Sequence, residues 1–153
     1  MIMIQDIMSK EVVSLTTDML LGDAAKILAE HSFDGAPVID GDGKLVGILT
    51  EYDLISKGSV IHLPTFQFIL QNLQIFKKDR SHFEKEIKDV SDLKVKDVMN
   101  SDPLTLSDAA SYEDAVRAFQ EHHRVNPIPV IDENRKVVGV VSRFDVLKPL
   151  RNM

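Results

Sequence analysis

Gly139-Val140-Val141-Ser142-Arg143-Phe144-Asp145, near the C-terminus, restates a stretch met earlier as Gly47-Ile48-Leu49-Thr50-Glu51-Tyr52-Asp53. Both run glycine, two aliphatics, a hydroxyl residue, two variable residues, aspartate. Apolar pairs precede each copy (Leu45-Val46, Val137-Val138) and follow it (Leu54-Ile55, Val146-Leu147). An aliphatic run that ends in a hydroxyl residue, with an acid three positions on, reads as a strand turning into a helix.

The repeat extends in both directions. Asp6-Ile7-Met8 answers to Asp97-Val98-Met99, and Pro37-Val38-Ile39-Asp40 to Pro129-Val130-Ile131-Asp132. The offset grows by one between these matches, which places an extra residue of the second copy near Glu121 to Arg124. A duplication of this length sets the architecture before any single element does. Leu21, Ala24, Ala25 and Leu28 fall on one helical face, and Tyr112, Ala115, Val116 and Phe119 repeat the spacing. Short extended pieces, Val12 to Leu15 and Pro103 to Leu106, precede these helices. A hairpin follows in each copy. The first joins Pro37–Asp40 to Leu45–Leu49 through Gly41-Asp42-Gly43, with proline at the first strand position, where a missing N–H is tolerated. The second joins Pro129–Asp132 to Val137–Val141 through Glu133-Asn134-Arg135. A short helix closes each copy.

The fold class is therefore α/β, with the order β-α-β-β-α written twice in a single module, 1–153: repeat one 1–57, repeat two 93–153. Each half has only ~50 residues, a size at which one core is marginal. The halves are expected to pack through their sheets about a pseudo-twofold axis. Between them, 58–92 reads as a helical insertion, with a start at Pro64, a stripe of Phe66, Ile69, Leu70, Leu73 and Phe76, and a second helix marked by Phe83, Ile87 and Val90. Its spare apolar surface packs on its own domain or meets another subunit or partner.

Composition narrows the function. The chain has 153 residues, 44% hydrophobic and 27% charged, an ordinary globular mixture able to bury a core. A net charge of −6 argues against a nucleic-acid binder, which needs a basic face. With no cysteine there is neither a disulfide frame nor a thiolate metal site. The opening Met1-Ile2-Met3-Ile4-Gln5-Asp6 lacks the basic end of a signal peptide, and no apolar run nears the ~20 residues of a membrane helix. A cytoplasmic protein with no membrane partner is expected. His122 and His123 are adjacent, so on a helix they face different ways; with His31, His62 and His82 scattered, no metal site is expected. There is no Ser-His-Asp arrangement and no glycine-rich phosphate loop, so no catalytic residues are expected.

The ordered set resembles a tandem pair of cystathionine-β-synthase (CBS) domains, a Bateman module of the stand-alone bacterial type. The residues that carry it are Asp-Ile-Met or Asp-Val-Met, the Asp-Ala helix, Pro-Val-Ile-Asp, Gly-Lys-Leu-Val-Gly and Gly-x-x-[Ser/Thr]-x-x-Asp, across 5–57 and 93–149. The resemblance implies a non-catalytic sensor of AMP, ADP or ATP, with S-adenosylmethionine or a cyclic dinucleotide as further ligands. No other cofactor is implied. It also implies a homodimer and an output acting on a separate target protein. By matching position, Asp53 and Asp145 accept from ribose hydroxyls, and Thr50 and Ser142 meet phosphate. Ala36, Pro37 and Val38, or Ile128, Pro129 and Val130, touch the base. Ser9 and Val13, or Asn100 and Leu104, complete each cleft. The rival implied role is a dimerising scaffold that binds nothing.

The chemistry suits the residues. A carboxylate can accept from both neighbouring ribose hydroxyls through charge-assisted bonds of roughly 1.5–3 kcal/mol. A hydroxyl residue at a helix start lies beside unpaired N–H groups that favour phosphate, and Gly47 and Gly139 let a ligand approach the backbone. The alternative is local: [Ser/Thr]-x-x-Asp is nearly a capping box, with Asp53 and Asp145 folded back on their own helix starts. The clefts also differ in charge. The one at Asp145 adds Arg143 and Arg124, ahead of Asn126 and Pro127, whereas the one at Asp53 has Glu51 and Asp34. Phosphate is therefore expected at Asp145, since like charge opposes it at Asp53.

Overall fold

The structure is a computed structural model that describes residues 1–57 and 92–152. The expected helical insertion falls outside these residues, apart from Asp92. Elements are α1 (Ile4–Ile7), β1 (Leu15–Thr16), α2 (Leu21–His31), β2 (Gly35–Ile39), β3 (Leu45–Thr50) and α3 (Glu51–Lys57). After the insertion come α4 (Val95–Val98), β4 (Leu106–Ser107), α5 (Tyr112–Glu121), β5 (Ile128–Ile131), β6 (Val137–Val141) and a 3-10 helix (Asp145–Asn152). The last was expected as an ordinary short helix; Pro149 lies inside it and brings no N–H to an α-helical ladder.

Each half contributes a three-stranded mixed sheet, ordered β1-β2-β3 and β4-β5-β6. The first pair in each is parallel and the second antiparallel. Both β2 and β5 begin before their proline rather than at it. β1 pairs only with Val38 and Ile39, so Pro37 lies beyond its end, an edge-like position that tolerates a missing N–H. In the first hairpin, Asp40 Oδ1 accepts from the N–H groups of Asp42 and Lys44 at 2.9 and 3.0 Å. Asp132 does the same for Asn134 and Lys136 at 2.8 and 2.9 Å. The repeated Pro-Val-Ile-Asp thus ends in the residue that holds the turn.

The cores carry the periodicity read from the sequence. Leu21, Ala24, Ala25 and Leu28 are all buried on α2, as are Ala115 and Phe119 on α5. Fully burying each large apolar side chain is worth ~1.5–3 kcal/mol.

What spacing did not show is an exchange. Ile4 and Ile7 of α1 lie in the core of the second half, with Ala115, Phe119, Ile128, Val130 and Val141. Val95 and Val98 of α4 lie in the core of the first, with Leu15, Leu21, Leu28, Val38 and Leu49. The repeated Asp-Ile-Met acquires a reason. Its aspartate accepts from the N–H three residues back (Asp6 from Met3, 2.8 Å; Asp97 from Lys94, 2.9 Å), closing a short helix. Its aliphatic enters the other half's core. Its methionine covers the other half's glycine: a Cβ on Gly139 would stand 2.5 Å from Met8 Sδ, and one on Gly47 2.7 Å from Met99 Sδ.

Isolated bridges trace the pseudo-twofold. Met3 pairs with Ser111 as Lys94 pairs with Leu20, and Ser9 pairs with Val140 as Asn100 pairs with Ile48. Lys44 pairs with Lys136, its own repeat mate, so this contact lies near the axis.

Candidate functional site

Gly139-to-Asp145 begins in β6 and ends at the first residue of the 3-10 helix. At its end the capping geometry is realised. Asp145 Oδ2 accepts from Ser142 N at 2.8 Å and Ser142 Oγ at 3.1 Å. The first copy matches: Asp53 Oδ2 accepts from Thr50 N at 3.0 Å and Thr50 Oγ1 at 2.9 Å, and Asp53 N donates back to Thr50 Oγ1 at 3.2 Å. Both aspartates are only 7% exposed, so these bonds satisfy carboxylates that burial would otherwise penalise. Asp145 carries one more partner, Lys148 Nζ at 2.7 Å from Oδ1, and that ammonium also donates to Ile7 O at 2.6 Å. A carboxylate has about four acceptor positions. Three are used, which leaves Asp145 room for one ribose hydroxyl rather than the two expected.

Beside Asp145 lies a hollow of about 540 Å3. It has three walls. Ser9, Lys10, Glu11 and Val13 form the first, on the segment that leaves α1. Val140, Ser142, Phe144 and Asp145 form the second. The third comes from the entries to β2 and β5: Ser32, Phe33, Asp34, Gly35 and Pro37 with Asn126 and Pro127. The exchange builds this site, because the Ser9–Val140 bridge lays the first wall along β6 (Ser9 N to Val140 O, 2.9 Å; Val140 N to Ser9 O, 3.0 Å). Asp34 and Asn126 meet across the halves, Nδ2 to Oδ2 at 2.8 Å.

Of the residues expected in the main cleft, Ser9, Val13, Asn126, Pro127, Ser142 and Asp145 line this hollow. Asp34 and Pro37, assigned to the second cleft, line it too. Ile128 and Val130 have no exposed surface and belong to the core, as do Ala36 and Val38 in the first half. Pro129 is fully buried. Leu104 packs on the second core, and Asn100 is paired with Ile48. Gly47 and Gly139 make room for Met99-Asn100 and Met8-Ser9, not for a ligand.

The expected phosphate charge is elsewhere. The Arg143 guanidinium donates to the carbonyls of His122, His123 and Val125 beyond the end of α5, and lies 5.2 Å from the centre of the Phe119 ring. These carbonyls follow the C-terminus of a helix, where the negative end of its dipole favours a cation. Arg124 donates to Tyr52 Oη at 3.0 Å and lies over that ring, on the Asp53 side. Neither lines the hollow. Partial burial, and secondarily the Asp34 carboxylate, hold Glu51 above the ordinary carboxylate range. Among the described residues no group of three His, Asp or Glu side chains could hold a metal ion, and no helix is long and apolar enough to cross a membrane.

Sequence reasoning missed Lys10, Glu11, Ser32, Phe33, Gly35, Val140 and Phe144. Phe144 stood inside the repeated stretch and Lys10-Glu11 between two assigned residues. Their neighbours were the available signal.

Comparison with known proteins agrees with this fold. The family model described as CBS domain matches twice, over residues 4–59 and 95–152. MJ1426, an uncharacterized protein of Methanocaldococcus jannaschii, is 28% identical over 155 residues, spanning 97% of this chain and 90% of its own. The CBS domain of a CBS domain containing membrane protein from Sphaerobacter thermophilus is 30% identical, with a TM-score of 0.76 over 96% of this chain and 86% of that one. CBSX2 of Arabidopsis thaliana, solved in complex with AMP, is 25% identical with a TM-score of 0.73, covering 100% of this chain and 99% of its own.

Proposed function

Because the chain belongs to the CBS-domain family and carries the domain twice, we propose that it is a non-catalytic regulatory module that binds an adenosine-containing small molecule in the hollow at Asp145. The observation that carries this is the hollow itself. Its volume, about 540 Å3, falls within the ~300–1,000 Å3 of small-molecule sites. Val13 and Phe33 offer apolar surface for a purine, and Asp145 keeps one acceptor for a ribose hydroxyl. Adenosine is the part that AMP, ADP, ATP, S-adenosylmethionine and cyclic dinucleotides share, and it is the part this hollow is proposed to take. The AMP complex of CBSX2 supports the reading.

Both halves line the hollow, so a ligand there bears on how they sit together. It shifts that arrangement only by the difference in its affinity for two states. The output passes to a separate target protein, through a homodimer.

One observation favours the scaffold reading. Phe144, just before the 3-10 helix, and Leu147 and Leu150 on one face of it are 81%, 48% and 59% exposed, three residues apart. A thermal-shift panel of adenosine and its derivatives separates the two. Sensor binding raises the midpoint with concentration, and Asp145→Asn weakens the shift while Asp53→Asn leaves it. A flat response to every compound leaves only the scaffold.

A further inference from the structure

Among the described residues, the charged groups lining the hollow are Lys10, Glu11, Asp34 and Asp145, three carboxylates against one ammonium. Three basic side chains near it are committed elsewhere. Arg143 serves the carbonyls after α5, Arg124 lies on Tyr52, and Lys148 bridges Asp145 to Ile7. Lys148 offsets Asp145, and Lys10 stands next to Glu11. Among the described residues, the Asp34 carboxylate has one polar partner, the uncharged amide of Asn126. The hollow is comparable in width to the ~8 Å screening length at physiological ionic strength, so a charge inside it feels every wall. Glu51, outside the hollow, has its carboxyl raised first by partial burial and second by the Asp34 carboxylate.

We infer that this hollow selects a nucleoside whose 5′ end is neutral or positively charged over one that carries phosphate, and that Asp34 and Glu11 set the preference. The inference rests on the adenosine reading of the site and narrows it. A 5′-phosphate brings about two negative charges toward walls with a net excess of carboxylate; a 5′-ammonium meets that excess as a partner.

The test uses three ligands that differ only at the 5′ position: adenosine, AMP and 5′-amino-5′-deoxyadenosine. Isothermal titration of the full chain at low and physiological salt is expected to rank the amine first and AMP last. AMP should fall about tenfold or more below adenosine, the factor given by 1.4 kcal/mol, and the gap should narrow as salt rises. Asp34→Asn keeps an oxygen to accept from Asn126 and is expected to close much of the gap, as is Glu11→Gln on the exposed first wall. AMP binding as tightly as adenosine, or a gap unmoved in both variants, overturns the selectivity and leaves the adenosine site standing. Binding of none of the three overturns the site itself.

Discussion

The approaches to Asp145 and Asp53 are built from matching positions and finish differently. Counting back from the hairpins, Ser32 answers to Arg124, and within the repeated stretch Phe144 answers to Tyr52. On the Asp145 side, Ser32 and Phe144 both border the hollow, and Phe144 is 81% exposed. On the Asp53 side, Arg124 reaches from the second half and lies on Tyr52, 5.6 Å from the ring centre, with a 3.0 Å hydrogen bond. A short side chain on one side and a long cation on the other turn one backbone plan into an open mouth and a clasped one. A duplicated fold can therefore hold two sites of different character without any change in its sheets.

That comparison presumes that the halves form one unit, which the exchanged helices enforce. Ile4 is fully buried in the second half's core although it is only the fourth residue, whereas Ile2 is 40% exposed. Ile4→Ala is expected to destabilise the whole molecule by about 2–5 kcal/mol, and Ile2→Ala by no more than about 0.5 kcal/mol. Chemical denaturation followed by circular dichroism measures both. A separate early transition in Ile4→Ala, with the second half melting alone, would break the unity of the halves.

The exchange is not quite symmetric, and the two glycines show it. A Cβ at Gly47 would meet Met99 Sδ at 2.7 Å and the backbone oxygen of Asn100 at 2.8 Å. At Gly139 the short contact is the end of the Met8 side chain at 2.5 Å, with Ser9 O at 3.1 Å. A thioether can turn aside; a carbonyl held in a bridge cannot without breaking it. Gly47→Ala is expected to cost about 1–3 kcal/mol and Gly139→Ala less. Equal losses would show that the two crossings are equally tight.

Much of this was legible in the residues, and the part that was not has a physical cause. The helical faces and hairpins follow from local period and turn chemistry, which a sequence carries directly. Asp-Ile-Met was visible as a repeat, but its helix, its buried aliphatic and its methionine fit either core equally well. Nothing local says which half it joins. The aspartates left two readings open, and the structure shows that the cap is made at both. A side chain's heading is also nonlocal. Arg143 stands between two residues that line the hollow, yet the carbonyls beyond α5 and the Phe119 ring draw it elsewhere.

The clasp offers a smaller effect. Arg124→Ala is expected to cost about 0.5–1 kcal/mol, the scale of an exposed cation–π contact. A double-mutant cycle with Tyr52→Leu isolates the coupling. No coupling would mean that the two side chains touch without holding, and the clasped side would then differ from the open one in shape alone.

The smallest effect separates the halves by pH. At matching places, the first half has Glu51 where the second has Arg143. Partial burial, then Asp34, raise the Glu51 carboxyl, so the folded state holds its proton more tightly than the unfolded chain does. Its contribution to stability is present below the ordinary carboxylate value of ~4.3 and is lost as pH rises through the higher folded value. Glu51→Gln is therefore expected to be slightly more stable than the parent at neutral pH, with the difference vanishing in acid. Asp114 in the second half runs the other way. The backbone N–H of Ser111 first, then its hydroxyl, and to a lesser extent Arg117 lower its carboxyl. Its stabilisation is present above the ordinary aspartate value of ~3.9 and lost as pH falls through the depressed one. Asp114→Asn should accordingly lose stability at neutral pH and converge with the parent only at the acid end. Midpoints of thermal unfolding against pH for the two variants should bracket the parent at pH 7. If Glu51→Gln lies below it there, Asp34 and Glu51 do not repel, and the contrast in charge between the halves loses its support at that position.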